Sequence, residues 1–202
     1  MSRRAPGTPC WAELGGPAEP QLLDHYARLL GWEFGENRTV SGYQRGFAGG
    51  EKVAGFGGPR SPQPAGGWRG YLSVDDLDSV LSDARLLGAD IVSDTVLVGA
   101  DGRFSWILDP GGAFVGLFEP NDDPGTSRVP GPGRIVDWVL VSPRADSSIE
   151  FHATLFPAVH QHLRATERDG IGGWRPMFAA DPSTAGVHID PAGNVVHLVP
   201  WE

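Results

Sequence analysis

Residues 109–117 read DPGGAFVGL, and residues 190–198 read DPAGNVVHL. Each opens with Asp-Pro and a glycine, which is turn chemistry, because Pro presets φ and Gly takes backbone angles closed to other residues. Each then runs on as an apolar stretch that reads as a strand. Around the first copy, GRFSWIL (102–108) and GAFVGLFEP (112–120) form a hairpin about Asp109-Pro110-Gly111-Gly112. Two more matches lie upstream: HYARLLG (25–31) with FHATLFP (151–157) at an offset of 126, and WRGYLS (68–73) with WRPMFA (174–179) at an offset of 106. The turn pair itself is offset by 81. Three matches in one order indicate duplication. The falling offset then places the losses: about 20 residues from the later strands of a third module, and about 25 where the helix of a fourth belongs.

The elements around these matches repeat. TPCWAEL (8–14) is a short strand. In the helix that follows, Leu22, Tyr26, Leu29 and Leu30 share one face, Pro17 and Pro20 suit its first turn, and Gly31 suits its end. WEFGEN, VSGYQRGFAGG and EKVAGFGGP are three β segments. After the linker PRSPQPAGG (59–67) the order recurs: strand 68–74, a helix capped by Asp75 or Asp76 with Leu77, Val80, Leu81, Ala84 and Leu87 inward, then ADIVSDTVLV and the hairpin. The expected organisation is a complete domain of two βαβββ modules over 8–120, a Pro/Gly linker over 120–133, and a truncated repeat over 134–202. The fold class is α+β.

The chain has 202 residues, 16 Lys+Arg against 25 Asp+Glu, and a formal net charge of -9. That balance argues against nucleic acid, whose binding needs clustered cations. With hydrophobic residues at 40% the chain forms a core. One cysteine, Cys10, leaves no disulfide framework within the chain and no Cys-based metal site. No apolar run has membrane-spanning length, and no signal peptide is recognisable. The expected setting is cytoplasmic, as monomer or homodimer, without membrane or nucleic acid.

PCWAEL (9–14), HYARLLGWEF (25–34), VAGFGG (53–58), WRGYLSVDDLDSV (68–80) and GRFSWILDPGGAFVGLFEP (102–120) resemble the vicinal oxygen chelate superfamily. This group contains glyoxalase I, bleomycin-resistance proteins, fosfomycin-resistance enzymes and extradiol dioxygenases. The resemblance implies paired βαβββ modules curled around a cleft. In metal-dependent members it implies a divalent ion held by His, Gln or Glu on the first and last strands of the modules. Carried over, the first-strand position falls on Trp11, and the second module's on Trp68, or Arg69 if the strand slips by one. The last-strand carboxylate falls on Gly116. None of these chelates. In the condensed copy the equivalents are Asp137, Trp174 and His197, so Asp137 and His197 form an alternative site for one divalent metal ion, with His188 or water to complete it. Glu13 and Glu119 could enter only with a register slip, and His160 and His162 share a strand face.

With the chelating groups replaced, the expectation is a metal-independent, aromatic-lined cleft for a bulky natural-product-like small molecule. Its walls would be Trp11, Trp68, Trp106, Phe114, Gly116, Trp138, Trp174 and His197. Residues 11 and 13 share a face, as do 43 and 45. Glu13 or Asp137 would act as general base, with Tyr43 or Arg45 stabilising an oxyanion. Simple sequestration of an antibiotic, lyase, isomerase or cyclase chemistry, and a non-catalytic interaction domain all stay open. Cys10 has no base or cation beside it in sequence and reads as inert.

Overall fold

The computed structural model describes residues 4–36, 41–57, 67–121, 125–126, 129–158, 165–168, 170 and 172–202. Most of the 59–67 linker, and the His160 and His162 pair, lie outside them. The chain runs β1 (Pro9–Leu14), α1 (Pro20–Leu30), β2 (Glu33–Glu36), β3 (Gln44–Ala48), β4 (Glu51–Phe56), then β5 (Trp68–Ser73), α2 (Leu77–Leu86), β6 (Asp90–Ile91), β7 (Val96–Leu97), β8 (Gly102–Leu108), β9 (Ala113–Pro120). It continues with β10 (Ile135–Ser142), α3 (Ala145–Leu155), β11 (Ala165–Glu167), β12 (Gly172–Ala180), β13 (Gly186–Ile189) and β14 (Val195–Pro200). A short 3-10 turn at Pro182–Thr184 occupies the interval between β12 and β13. The class is α+β, built from paired βαβββ modules.

Local chemistry accounts for the ends of the helices. Pro20 opens α1, and Gly31 closes it at φ 67°, its N–H bonded to the Ala27 carbonyl. Asp76 caps α2 by accepting from the Ser79 N–H at 3.0 Å. The inward stripe of α2 is narrower than the spacing predicts. Leu77 and Ala84 are buried, whereas Leu87 lies beyond the last helical residue and is partly exposed. ADIVSDTVLV, expected as one strand, is two short ones. Between them the Ser93 hydroxyl accepts the Trp106 N–H at 2.9 Å, which replaces a ladder bond with a side-chain bond.

The residues form two compact units. The first comprises Met1–Cys10, Arg69–Pro124 and Val139–Arg175; the second comprises Trp11–Trp68, Gly125–Trp138 and Pro176–Glu202. Each draws on both sides of the 120–133 segment. In the second unit the strand order β1-β4-β3-β2 is joined by β13 against β14 and β14 against β12. Its core packs Tyr26, Trp32, Phe56, Trp68 and Phe178 edge to face, with ring centroids 5.0–6.2 Å apart and one stacked pair, Tyr26 on Trp32. Each such pair adds about 0.5–1.5 kcal/mol beyond the area it buries. In the first unit, β8 covers one edge of β9 along its length. On the other edge β5 pairs at 71–73 and β12 at 172–173. Among the described residues no helix is long and apolar enough to cross a membrane.

Candidate functional site

The second unit brings four of the predicted residues together. Glu13 on β1 and Arg45 on β3 both register with Gly55 on the strand between them. Residues directly opposite on neighbouring strands share a face, so the two side chains flank a position that carries none. The vacancy is filled by Tyr43. A Cβ on Gly55 would lie 1.7 Å from the tyrosine hydroxyl, so only glycine lets that ring cross the strand. The Trp11 indole N–H donates to the Tyr43 hydroxyl at 3.0 Å, and the hydroxyl donates to the Glu13 carboxylate. Burial and the Glu13 charge hold the Tyr43 phenol well above its ordinary range, against the pull of Trp11 and Arg45. Glu13 and Tyr43 are nearly covered, while Trp11 and Arg45 are half-buried and form the open side. The group supplies a carboxylate, a phenol that orients it, and a cation two strands away.

Trp68 corrects an expectation. It is 1% exposed and inside the aromatic core, its N–H donating to the Tyr26 hydroxyl at 3.0 Å. The side chain turned to the opposite face of β5 is Arg69, the one-residue slip allowed above. Trp106 and Phe114, expected as cleft walls, are also covered. They stack on each other at 4.6 Å, with the Arg69 guanidinium 5.7 Å from the Trp106 ring centre. Gly116 is opposite Trp106 and lies under the Tyr71 ring, which a Cβ would strike at 2.3 Å. Trp174 is 4% exposed and packs edge-on to His152, 5.8 Å between centres, which removes it too from an open wall. Trp138 packs against the second unit's core and is half-buried.

The metal alternative fares poorly on donor chemistry. Trp11, Arg69 and Gly116 offer an indole, a guanidinium and no side chain, and a fixed cation repels a divalent ion. Asp137 accepts the Trp138 backbone N–H at 2.8 Å. His197 on β14 registers with Met177 and Val187, whereas His188 registers with Val196, so the two histidines face opposite sides and His188 cannot complete a site with His197. Among the described residues no three His, Cys, Asp or Glu side chains converge. The described residues at the carried-over positions do not fit the superfamily's ion. Glu119 is engaged by Arg103 at 2.8 Å and by the Leu77 N–H at 2.7 Å. Cys10 is buried, its thiol on the Tyr71 carbonyl.

Gly55 was not legible as a site residue, although a glycine inside the β4 run, EKVAGF, is the usual mark of another group approaching closely. Arg69 entered only as the slip alternative to Trp68, and Arg175 not at all. Their signal was present, since the matched segments WRGYLS and WRPMFA both carry Trp-Arg.

No family model matches the chain. It is 27% identical over 197 residues to a Mycobacterium tuberculosis protein named as a glyoxylase, CFP32, covering 94% of this chain and 74% of that one. It is 28% identical over 174 residues to the anthracycline biosynthesis protein DnrV of Streptomyces peucetius, covering 77% of this chain and 62% of that one. The Mn(II)-bound glyoxalase from Novosphingobium aromaticivorans superposes with a TM-score of 0.67 at 14% identity, over 97% of this chain and 82% of that one, a likeness of fold. The paired βαβββ modules, the glyoxylase-named relative and the glyoxalase fold neighbour support the vicinal oxygen chelate superfamily.

Proposed function

We propose that this protein binds a bulky, flat, natural-product-like molecule without a metal ion, on the second unit's sheet face around Trp11, Glu13, Tyr43 and Arg45. The observation that carries the reading is the Trp11–Tyr43–Glu13 hydrogen-bonded chain beside Arg45. What supports it is that organic acid–base groups lie beside Trp11, the position where the resemblance implies a chelating side chain. The relative named for anthracycline biosynthesis supports a polycyclic aromatic class of ligand. The indole of Trp11, half open, suits a flat ring. The test is quenching of tryptophan fluorescence by 1,8-dihydroxyanthraquinone in the presence of EDTA. Saturable binding of unchanged affinity after chelation is expected, with less than one equivalent of transition metal in the purified protein. Binding that requires added Mn(II) would overturn the reading.

A second reading, catalysis, is favoured by the Tyr43 hydroxyl on Glu13. A carboxylate already held in one orientation is poised as a general base. In this reading Arg45, on the same sheet face as Glu13, stabilises the oxyanion. An anthrone methylene offers the simplest such step. Glu13 takes a methylene proton, the electron pair moves onto the ketone oxygen, Glu13 releases the proton to solvent, and reprotonation of the carbon from solvent returns the anthrone. In D2O, deuterium exchange into 1,8-dihydroxyanthrone should fall at least about 100-fold in Glu13→Gln, with anthraquinone affinity retained. Exchange at the unaltered rate removes Glu13 as the base.

A further inference from the structure

The last module is cut short between its first strand and its hairpin. In the first module, residues 15–43 separate β1 from β3 and hold α1 and β2; in the second, residues 74–101 separate β5 from β8 and hold α2, β6 and β7. In the last, β12 ends at Ala180 and β13 begins at Gly186, with a 3-10 turn between them. The lost helix has a substitute in α1, whose Leu22 and Tyr26 share a core with Phe178, Val196 and Leu198. The lost strand has none. β2 lies antiparallel on the outer edge of β3, and β6 and β7 lie antiparallel on the outer edge of β8. Among the described residues no strand lies on the matching edge of β13.

The hairpin decides what that edge presents. The Asp190 N–H donates to the Asn194 carbonyl at 3.0 Å, and on the same ladder His188 is opposite Val196 and Gly186 opposite Leu198. Bonded and non-bonded pairs alternate along an antiparallel ladder, so Gly186, His188 and Asp190 turn their backbone groups to β14, and Val187 and Ile189 turn theirs outward. The side chains of those two residues are 66% and 61% exposed. Exposed edges are commonly guarded by charge. β2 begins and ends on Glu33 and Glu36, whereas Gly186–Ile189 carries no carboxylate, and the Asp190 carboxylate just beyond it is buried against Tyr26 and Asn194. In a chain of formal net charge -9, this is an edge at which two copies meet without setting carboxylates against each other.

We propose that β13 pairs antiparallel with β13 of a second copy, which supplies the strand that β2 and β6 supply in the complete modules. A two-fold axis at His188 sets Val187 opposite the partner's Ile189, each such pair exchanging both N–H···O bonds, with the apolar side chains together on one face. One strand pair is a small interface, so the dimer is a reversible one.

Sedimentation velocity of the full chain over about a 100-fold range of concentration should show monomer and dimer in exchange. Amide exchange read by NMR at the two ends of that range should slow about tenfold or more at Val187 and Ile189 in the concentrated sample, while Gly186 and His188, already bonded to β14, hold their rates. Val187→Lys and Ile189→Lys should each weaken association at least about tenfold, although each brings the net charge nearer zero, and should leave the urea midpoint of the dilute protein nearly unchanged. A chain that stays monomeric throughout overturns the proposal. So does a dimer whose Val187 and Ile189 amides exchange as in the monomer, or one that both lysine variants leave intact, because either places the contact on another surface.

Discussion

In the second unit, Trp68 donates to the Tyr26 hydroxyl at 3.0 Å, and that hydroxyl donates to Asp190 at 3.0 Å. In the first unit, Trp174 stands beside His152, whose Nε2 is 3.3 Å from the Asp109 carboxylate but not aligned for a hydrogen bond. The Trp174 N–H there has no acceptor among the described residues. These six residues are the three sequence matches. Tyr26 and His152 differ by 126, Trp68 and Trp174 by 106, Asp109 and Asp190 by 81. Each junction takes its helix residue and tryptophan from one copy and its turn aspartate from the other. The difference is chemical. A phenol oxygen accepts and donates at one atom, so it joins tryptophan to aspartate. A neutral imidazole splits those roles between two nitrogens on opposite sides of a ring. Duplication kept the geometry and lost the bond.

The largest expected consequence is alkaline. Burial and Asp190 raise the Tyr26 phenol far above its usual range, and burial and Glu13 do the same for Tyr43; both belong to the second unit. In the unfolded chain these phenols ionise near pH ~10, while in the folded chain they stay neutral. The unfolded state therefore loses protons first. The stabilisation is complete below that pH and is lost as pH rises above it, by about 1.4 kcal/mol per unit for each phenol. Urea midpoints followed from pH 9 to 11.5 should decline accordingly, and Tyr26→Phe or Tyr43→Phe should each flatten the decline. An unchanged slope in the double variant would break the contrast between units.

At neutral pH the contrast predicts unequal losses at matched positions. Tyr26→Phe strands the buried Trp68 N–H and takes one of two donors from an Asp190 oxygen that keeps the Asn194 amide, for about 2–3 kcal/mol. His152→Phe removes no aligned bond and should cost about 1 kcal/mol or less beyond repacking. Equal losses by chemical denaturation would mean the first unit's junction is closed after all.

Much of the fold was legible because its signals are local. The Asp-Pro turns, the Leu22–Tyr26–Leu30 face and the Asp76 cap each act over a few residues. The site was half legible. Alternation alone puts Trp11 with Glu13 and Tyr43 with Arg45, but their meeting across Gly55 depends on register between strands, which is set at a distance. Trp68 against Arg69 was ambiguous for a different reason. Every residue of β5 is buried, so its pattern does not alternate and neither face is marked. The break at Ser93 was hidden because the hydroxyl's partner, Trp106, is 13 residues on.

The smallest prediction is a repair. His152→Tyr would supply the missing hydroxyl, and the space for it is defined by the finished copy. Trp174 and His152 are 5.8 Å apart at 79°, against 5.6 Å at 89° for Trp68 and Tyr26. A phenol in that setting can accept from Trp174 and donate to Asp109, joining two buried groups that now go unmatched, for a gain of about 1 kcal/mol. Urea denaturation of His152→Tyr, Asp109→Asn and the double variant reads the gain as a coupling. Because the bond needs an acceptor, the gain should shrink when Asp109 is replaced. If His152→Tyr lowers stability, or gains as much without the carboxylate, then the two junctions are alike only in sequence, and the tyrosine of the second unit owes its strength to the aromatic core around it.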